Sequence, residues 1–237
     1  MRCALFLPLF GVATVLLGLL SSIAALFDRT GRTSHHFARY WSRFIFWGVG
    51  IRVHVSGVEN IPKDHAVIFA GNHQSTIDIP AMFGYLPAQF RIMAKQILFT
   101  IPFLGWHLYL AGNIPIDRQN TKKAQRGLLK AAAGIRRNVS LFVFVEGTRT
   151  RDGRLRKFKR GSFTLAKKLN VPIVPVAIMG TYDLMPAGSI LAKPGDIYLK
   201  IMPMIDVSPE ANSDDLAAEV RKHLLDAGLR DSEVKTS

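Results

Sequence analysis

The chain has 237 residues, 31 of them basic and 17 acidic, for a net charge of +14. That length holds one sizeable core, or one domain with an appendage. Its single cysteine, Cys3, excludes an internal disulfide and any multi-cysteine metal site, and no HExxH, CxxC or GxSxG is present, so zincin, redox-pair and serine-hydrolase chemistry lack their signatures.

The charge is uneven. Residues 206–237 carry eight acidic and four basic residues, leaving 27 basic against 9 acidic in residues 1–205. Such a field favours a polyanion, either nucleic acid or an anionic membrane surface. No RNA-recognition, zinc-finger or helix-turn-helix signature supports nucleic acid. The N-terminus supports the membrane. From Cys3 to Phe27 there are 25 residues without a charge, enough to cross a hydrocarbon core of about 30 Å at 1.5 Å per residue. A signal-peptide core is shorter, although the small residues of 21–25 have the composition of a cleavage site. Pro8, Gly11 and Gly18 leave a second alternative, a kinked segment that enters one leaflet and returns. Residues 34–50 place Phe37, Tyr40, Trp41, Phe44, Ile45 and Trp47 in an apolar stripe interrupted by Arg39 and Arg43. This fits an interfacial helix whose arginines snorkel to phosphates, or a helix packed on the domain. Arg29, Arg32, Arg39 and Arg43 follow the first segment closely, which puts the remaining chain on the cytoplasmic side of the cell membrane.

After residue 50 the chain alternates apolar runs with helical patterns. Strands are predicted at 52–55, 66–70, 89–94, 113–116, 141–145, 172–178 and 197–202. Helices are predicted at 79–86, 121–137, 161–169 and 213–225. Continuous rather than alternating apolar strands imply a sheet covered on both faces. The fold class is therefore α/β, a three-layer domain with a mixed, largely parallel sheet. Residues 1–50 form membrane-anchoring helices, 51–228 the catalytic domain and 229–237 a polar tail. Two prolines in 172–178 predict an edge or bent strand.

Asn72-His73-Gln74-Ser75-Thr76-Ile77-Asp78 follows the second strand. Ser75, Thr76 and Asp78 are N-cap residue types, so the segment reads as a turn opening a helix. On a straight helix His73 and Asp78 would point apart. If the loop folds His73 back, Asp78 holds one imidazole nitrogen and leaves the other as a base. The pair His35-His36 lacks the aspartate of an HHxxxD pattern, because residue 40 is Tyr40.

Three further segments follow in order: Gly112-Asn113-Ile114-Pro115-Ile116-Asp117-Arg118, Val145-Glu146-Gly147-Thr148-Arg149 and Val171-Pro172-Ile173-Val174-Pro175-Val176. The stretch Met93 to Trp106, containing Lys95, lies between the His73 motif and the first of these. With the His73 motif these blocks resemble the glycerolipid acyltransferase family over residues 65 to 180, closest to its 1-acylglycerol-3-phosphate acyltransferases. The resemblance implies transfer of a fatty acyl group from an acyl thioester, acyl-CoA or acyl-carrier protein, to the free sn-2 hydroxyl of lysophosphatidic acid, giving phosphatidic acid. Other lyso-lipid acceptors, such as a lyso-ornithine lipid or lysophospholipid, and a non-catalytic basic scaffold on anionic membrane lipids are the alternatives.

The resemblance makes His73 the general base and Asp78 its orienting partner. It makes Glu146, Gly147, Thr148, Arg149, Arg118 and Lys95 the substrate-binding set. Arg149 is suited to a bidentate phosphate contact. Gly147 allows close backbone approach, and Glu146 is expected to accept from hydroxyls or orient Arg149. No metal, no redox cofactor and no nucleic-acid partner are implied. Seven basic residues and one acidic residue in 149–160 form a further patch, open to nucleic acid, lipid headgroups or an acidic acyl carrier protein.

Overall fold

The structure, a computed structural model, describes residues 2–28, 30–116, 121–135 and 137–232. Among these, seven strands occupy the seven predicted places: β1 (Ile51–Ser56), β2 (Ile68–Gly71), β3 (Phe90–Lys95), β4 (Ile114–Ile116), β5 (Ser140–Phe144), β6 (Ile173–Met179) and β7 (Gly195–Ile201). They form one sheet in the order β1-β7-β6-β2-β5-β3-β4. β2 pairs parallel with both β5 and β6, setting Ile68 beside Leu141 and Ile173. β3 extends the parallel sheet from β5, and β4 from β3. β7 runs antiparallel to β6 and carries β1 parallel to itself at the far edge.

The central strand β2 is buried along its whole length, whereas edge strand β1 alternates buried and exposed residues. Side chains alternate across a strand, so neighbouring residues of β2 feed two different cores. Phe69 faces the first, with Phe90 and Phe142 packed on it at ring distances of 6.3 and 6.5 Å. All three phenyl rings are fully buried, each worth roughly 1.5–3 kcal/mol in transfer from water. The helices α2 (Arg32–Val49) and α3 (Asp78–Tyr85) cover this face, with α1 (Arg2–Phe27) and α4 (Leu104–Leu110) outside them. Ile68 and Ala70 face the second core, under α5 (Thr121–Ile135), α6 (Gly161–Leu169) and α8 (Ser213–Asp226). The result is three layers, with a short α7 (Thr181–Leu184) following β6.

Proline in β6 did not confine it to an edge: β6 is third in the sheet. Ile173 exchanges both backbone hydrogen bonds with Ile205, and the carbonyl of Pro175 accepts from the N–H of Met202. Backbone groups two residues apart point the same way. The missing donor of Pro175 therefore falls beyond the end of β7, where the ladder has already opened.

α1 is one unbroken helix through Pro8, Gly11 and Gly18, not a re-entrant hairpin. Its stretch Pro8–Phe27 is long and apolar enough to cross a membrane. Leu9, Val12, Leu16, Leu20, Ile23 and Leu26 are all more than half exposed. α2 packs antiparallel on it: Phe6 meets Phe44, Phe10 meets Trp41, and Trp41 Nε1 donates to Thr14 Oγ1 at 2.9 Å. Arg39 and Arg43 do not reach outward as expected. They donate to the carbonyls of Leu86 and Gly84 at the C-terminal end of α3, where helix carbonyls lack intrahelical partners. The other face of α2 leaves Tyr40 and Trp47 exposed. The polar tail falls outside the described residues from 233 onward.

Candidate active site

Four parallel strands, β2, β3, β4 and β5, and β6 beside them end at one edge of the sheet. Loops at the carboxyl ends of such strands are where ligands of open α/β sheets bind. Gly71 closes β2, and the chain then turns through residues 72–77 before α3 begins at Asp78. Asn72 anchors this turn. Its amide donates to the carbonyl of Ile178 and accepts from that residue's N–H, at 2.8 and 2.7 Å, so it acts as one more rung between β2 and β6.

None of the predicted capping residues caps α3. Ile77 occupies the N-cap position without a side-chain bond. Ser75 Oγ is taken by the N–H of Ile77 and the carbonyl of Met185. The Asp78 carboxylate turns back over the loop instead. Its Oδ2 accepts from the backbone N–H groups of Gln74 and Ser75 at 2.7 and 2.8 Å, and lies 2.7 Å from Nδ1 of His73. Three donors converging on one oxygen explain how residues five apart meet: the loop wraps the first helical carboxylate. Asp78 is fully buried and His73 nearly so, at 0% and 8% exposure. With a carboxylate on Nδ1, the imidazole carries its proton there and keeps Nε2 as a free base. The ring stacks on Phe144 at a centroid distance of 3.9 Å, which fixes its plane.

Glu146 holds this loop from below. One carboxylate oxygen accepts from the N–H of His73 at 2.9 Å and the other from the N–H of Arg156 at 3.0 Å. It is 2% exposed. Burial pushes its pKa up to about 7, partly offset by those two donors. The expectation that Glu146 accepts from substrate hydroxyls or orients Arg149 is therefore corrected: both oxygens are spent on backbone, facing inward. Glu146 positions His73. Arg149 leaves the same loop in the opposite direction, is exposed, and donates to Thr76 Oγ1 in the histidine turn. Gly147 sits at φ +71, the left-handed turn that brings Arg149 round, and Thr148 is exposed beside it. Lys95 ends β3, exposed, with β5 between β3 and β2. That puts it about 10 Å across the sheet from the histidine loop. Arg118 lies outside the described residues.

No sequence pattern marks the space beside this turn. A cavity of about 360 Å³ lies between α1, α2, α3, β3 and α4, bounded at one side by Thr76 and Ile77. Its wall is apolar, from Phe10 and Leu17 through Trp41, Phe83 and Leu98 to Leu108. The volume is that of a small-molecule site. Its lone imidazole, His107, bonds Ser21 Oγ at 2.7 Å and is driven down to about 4 by burial, so it adds no charge. Phe144 and Thr150 carry no such mark in the sequence either, and Thr76, expected as a helix cap, instead accepts from Arg149. Only Phe144, two residues ahead of Glu146 at a strand end, had a position that could have marked it.

The acyltransferase family profile matches residues 52–179. The chain belongs to the acyltransferase family. It is 37% identical to the chloroplastic 1-acyl-sn-glycerol-3-phosphate acyltransferase BAT2 of Brassica napus over 166 residues, 69% of this chain and 48% of that protein. It is 35% identical to a 1-acyl-sn-glycerol-3-phosphate acyltransferase of Borreliella burgdorferi over 205 residues, 86% of this chain and 79% of the relative. The crystal structure of the 1-acyl-sn-glycerophosphate acyltransferase PlsC from Thermotoga maritima superposes with a TM-score of 0.78 at 29% identity, covering 98% of this chain and 100% of that one. The chain spans about half the length of the plant relatives it matches. His73, Asp78 and the Glu146–Arg149 loop all fall inside the profile match, whereas α1 and α2 precede it.

Proposed function

We propose that the chain transfers a fatty acyl group from a thioester to the sn-2 hydroxyl of 1-acylglycerol-3-phosphate, giving phosphatidic acid for phospholipid synthesis. The observation that carries this reading is the His73–Asp78 pair on a turn whose Thr76 and Ile77 bound a large apolar cavity, with Arg149 bonded to the same turn. His73 Nε2 takes the hydroxyl proton as the oxygen attacks the thioester carbonyl. Asp78 stabilises the imidazolium that results. The tetrahedral intermediate collapses by breaking the C–S bond, and the imidazolium returns its proton to the leaving thiolate. The acceptor hydroxyl stands where a serine hydrolase has its serine, so no acyl-enzyme forms.

The remaining parts follow from substrate chemistry. Each acyl methylene buried in the cavity contributes ~0.8 kcal/mol, enough for a single chain to hold an amphiphile in place. Arg149 and Lys95, at the sheet edge, bind the acceptor phosphate together with Arg118. Residues 1–50 anchor the chain in the membrane through α1, and residues 51–228 carry the chemistry on the cytoplasmic side, with residues 229–232 packed back on that domain through Leu229 and the Arg230 carbonyl. Acyl-CoA or acyl-carrier protein is the co-substrate, with no metal or redox cofactor. Purified full-length protein given lysophosphatidic acid and each donor, with products resolved by mass, tests the reading. Phosphatidic acid is the expected product. Acylation only of a lysophospholipid or lyso-ornithine lipid, or no acylation at all, would overturn it.

A further inference from the structure

Residues 149–160 hold seven cations and one acid, and the proposed chemistry uses only Arg149. The segment is not a loose basic loop. The N–H of Thr150 donates to the carbonyl of His73, and Gln74 Nε2 donates to the carbonyl of Gly153 at 2.8 Å. The N–H groups of Arg156 and Lys159 bond Glu146 and the carbonyl of Val145. Leu155 is 1% exposed and its N–H reaches the carbonyl of Arg230. Every second or third residue is thus pinned, either to the catalytic loop or to the chain after α8. The cations between the pins stand outward: Arg151, Lys157 and Lys159 are exposed and, among the described residues, pair with no acidic side chain. Asp152 is held by Thr150 Oγ1 and the N–H of Arg154.

The position of this ledge decides which polyanion it meets. Arg160 pairs with Asp214 of α8, and Arg221 of α8 donates to the carbonyl of Arg156. Both contacts fasten the ledge to the helices over the second core. The exposed apolar helix α1 and the cavity lie over the first core, on the other face of the sheet. A surface built for lipid headgroups would flank α1. This one runs from Arg151, whose carbonyl accepts from Tyr182 Oη of α7 at the catalytic edge, to Arg156 and Arg160, which bond α8 on the face opposite α1.

We propose that the ledge centred on Arg151, Lys157 and Lys159 is the docking surface for an acidic acyl carrier protein, which delivers the thioester to His73 from the water-facing side. This rests on the acyl-transfer reading above. The carrier's thioester C–S bond is the one broken, its thiol leaves with the proton, and the acyl group ends on the lysophosphatidate oxygen. Complementary charge of this kind acts mainly on encounter and is weakened by salt.

The test uses full-length protein with Arg151→Glu/Lys157→Glu, and with the milder Lys157→Gln in case the double reversal misfolds. Acyl-carrier protein and acyl-CoA of the same chain length are compared at fixed lysophosphatidic acid. The double reversal should lower kcat/KM with the carrier by about 10- to 100-fold, through KM, and with acyl-CoA by less than threefold. Lys157→Gln should shift the same ratio about threefold. The wild-type rate with the carrier should fall with added salt more steeply than the rate with acyl-CoA. Equal losses with both donors would give the cations to a ligand common to both reactions and overturn the proposal. So would an unchanged ratio, or a wild-type enzyme that uses acyl-CoA but not the carrier. Weakened sedimentation of the variant with phosphatidylglycerol vesicles, alongside equal losses, would assign the ledge to lipid. No product from either donor with wild type would instead sink the acyl-transfer reading itself.

Discussion

The two faces of the sheet differ in what they expose. Over the first core, α1, α2 and α4 expose Leu20, Trp47, Trp106 and Tyr109 and enclose an apolar cavity. Over the second core, α6 and α8 carry ordered, exposed charge. The apolar and the charged regions approach each other at the sheet edge, and the His73 turn lies there, with Thr76 and Ile77 against the cavity. It is buried enough to have a fixed tautomer, and Arg149 on the same turn is exposed enough to meet a phosphate. The lesson is one of economy. A parallel sheet already separates two faces and gathers its strand ends, so the proposed chemistry draws on one loop from β2 and one from β5.

The sharpest way to break this picture is at the edge itself. His73→Ala should lower kcat by about 10²- to 10⁴-fold without releasing protein from membranes, and should lower Tm only modestly, since Asp78 loses one donor but keeps the N–H groups of Gln74 and Ser75. Asp78→Asn separates orientation from charge. Oδ2 takes all three hydrogen bonds, and Oδ1 is buried without a partner among the described residues. An amide oxygen in the Oδ2 position keeps the loop and the tautomer but loses the negative charge that stabilises the imidazolium. The variant should fold, and should still lose about 10²-fold or more in kcat. Activity of either variant within threefold of wild type would remove the general base from the mechanism.

The charged side of the edge should show in binding. Arg149→Ala should raise the KM for a short-chain lysophosphatidic acid by about 10- to 100-fold, the size of one lost charge-assisted bond. Arg149→Lys should recover part of it, for want of the planar fork. Arg118→Ala and Lys95→Ala are expected to act in the same direction. Steady-state kinetics below the aggregation limit read the effect, and a defect confined to the thioester donor would move the phosphate site elsewhere.

The apolar side should respond to volume. Gly18 of α1 lines the cavity, and a Cβ there meets only Phe103 at 3.5 Å. Gly18→Leu puts four carbons into the lumen. Long-chain donors should lose about tenfold in kcat/KM against chains shorter by a few methylenes. A uniform loss across chain lengths would mean the cavity does not hold the chain.

How far the sequence carried differs between these regions for physical reasons. Strand β2 and its neighbours were legible because burial on both faces demands unbroken apolar runs. The His73–Asp78 contact was legible because spacing plus a strand-to-helix turn leaves few geometries. Residues 96–110 were not, since Pro102 and Gly105 interrupt any period and Phe103 takes a positive φ of 63° that its side chain does not announce. Arg39 and Arg43 looked like lipid anchors because nothing local says that α3 ends beside them. Glu146 looked like a ligand group because a loop carboxylate usually points outward, and only the register of β2 with β5 turns it under His73.

Glu146 also gives the smallest and most specific prediction. Its pKa of about 7 in the folded chain lies above its ordinary 4.5, so folding favours the protonated form. The stability it contributes is therefore complete below about pH 4.5 and is lost as pH rises through about 7. The swing is on the order of a few kcal/mol at most, or roughly 5 °C in Tm for a chain of this size. Glu146→Gln has no proton to lose. Its amide oxygen can keep one backbone N–H, while its amide nitrogen faces the other donor, so it should be less stable than wild type throughout. The diagnostic is the slope: between pH 5 and pH 8 the wild-type advantage in Tm should shrink, because only the wild type deprotonates. Parallel curves across that range would mean that the ionisation of Glu146 is not displaced by its burial. The carboxylate would then hold the His73 loop equally well at every pH tested.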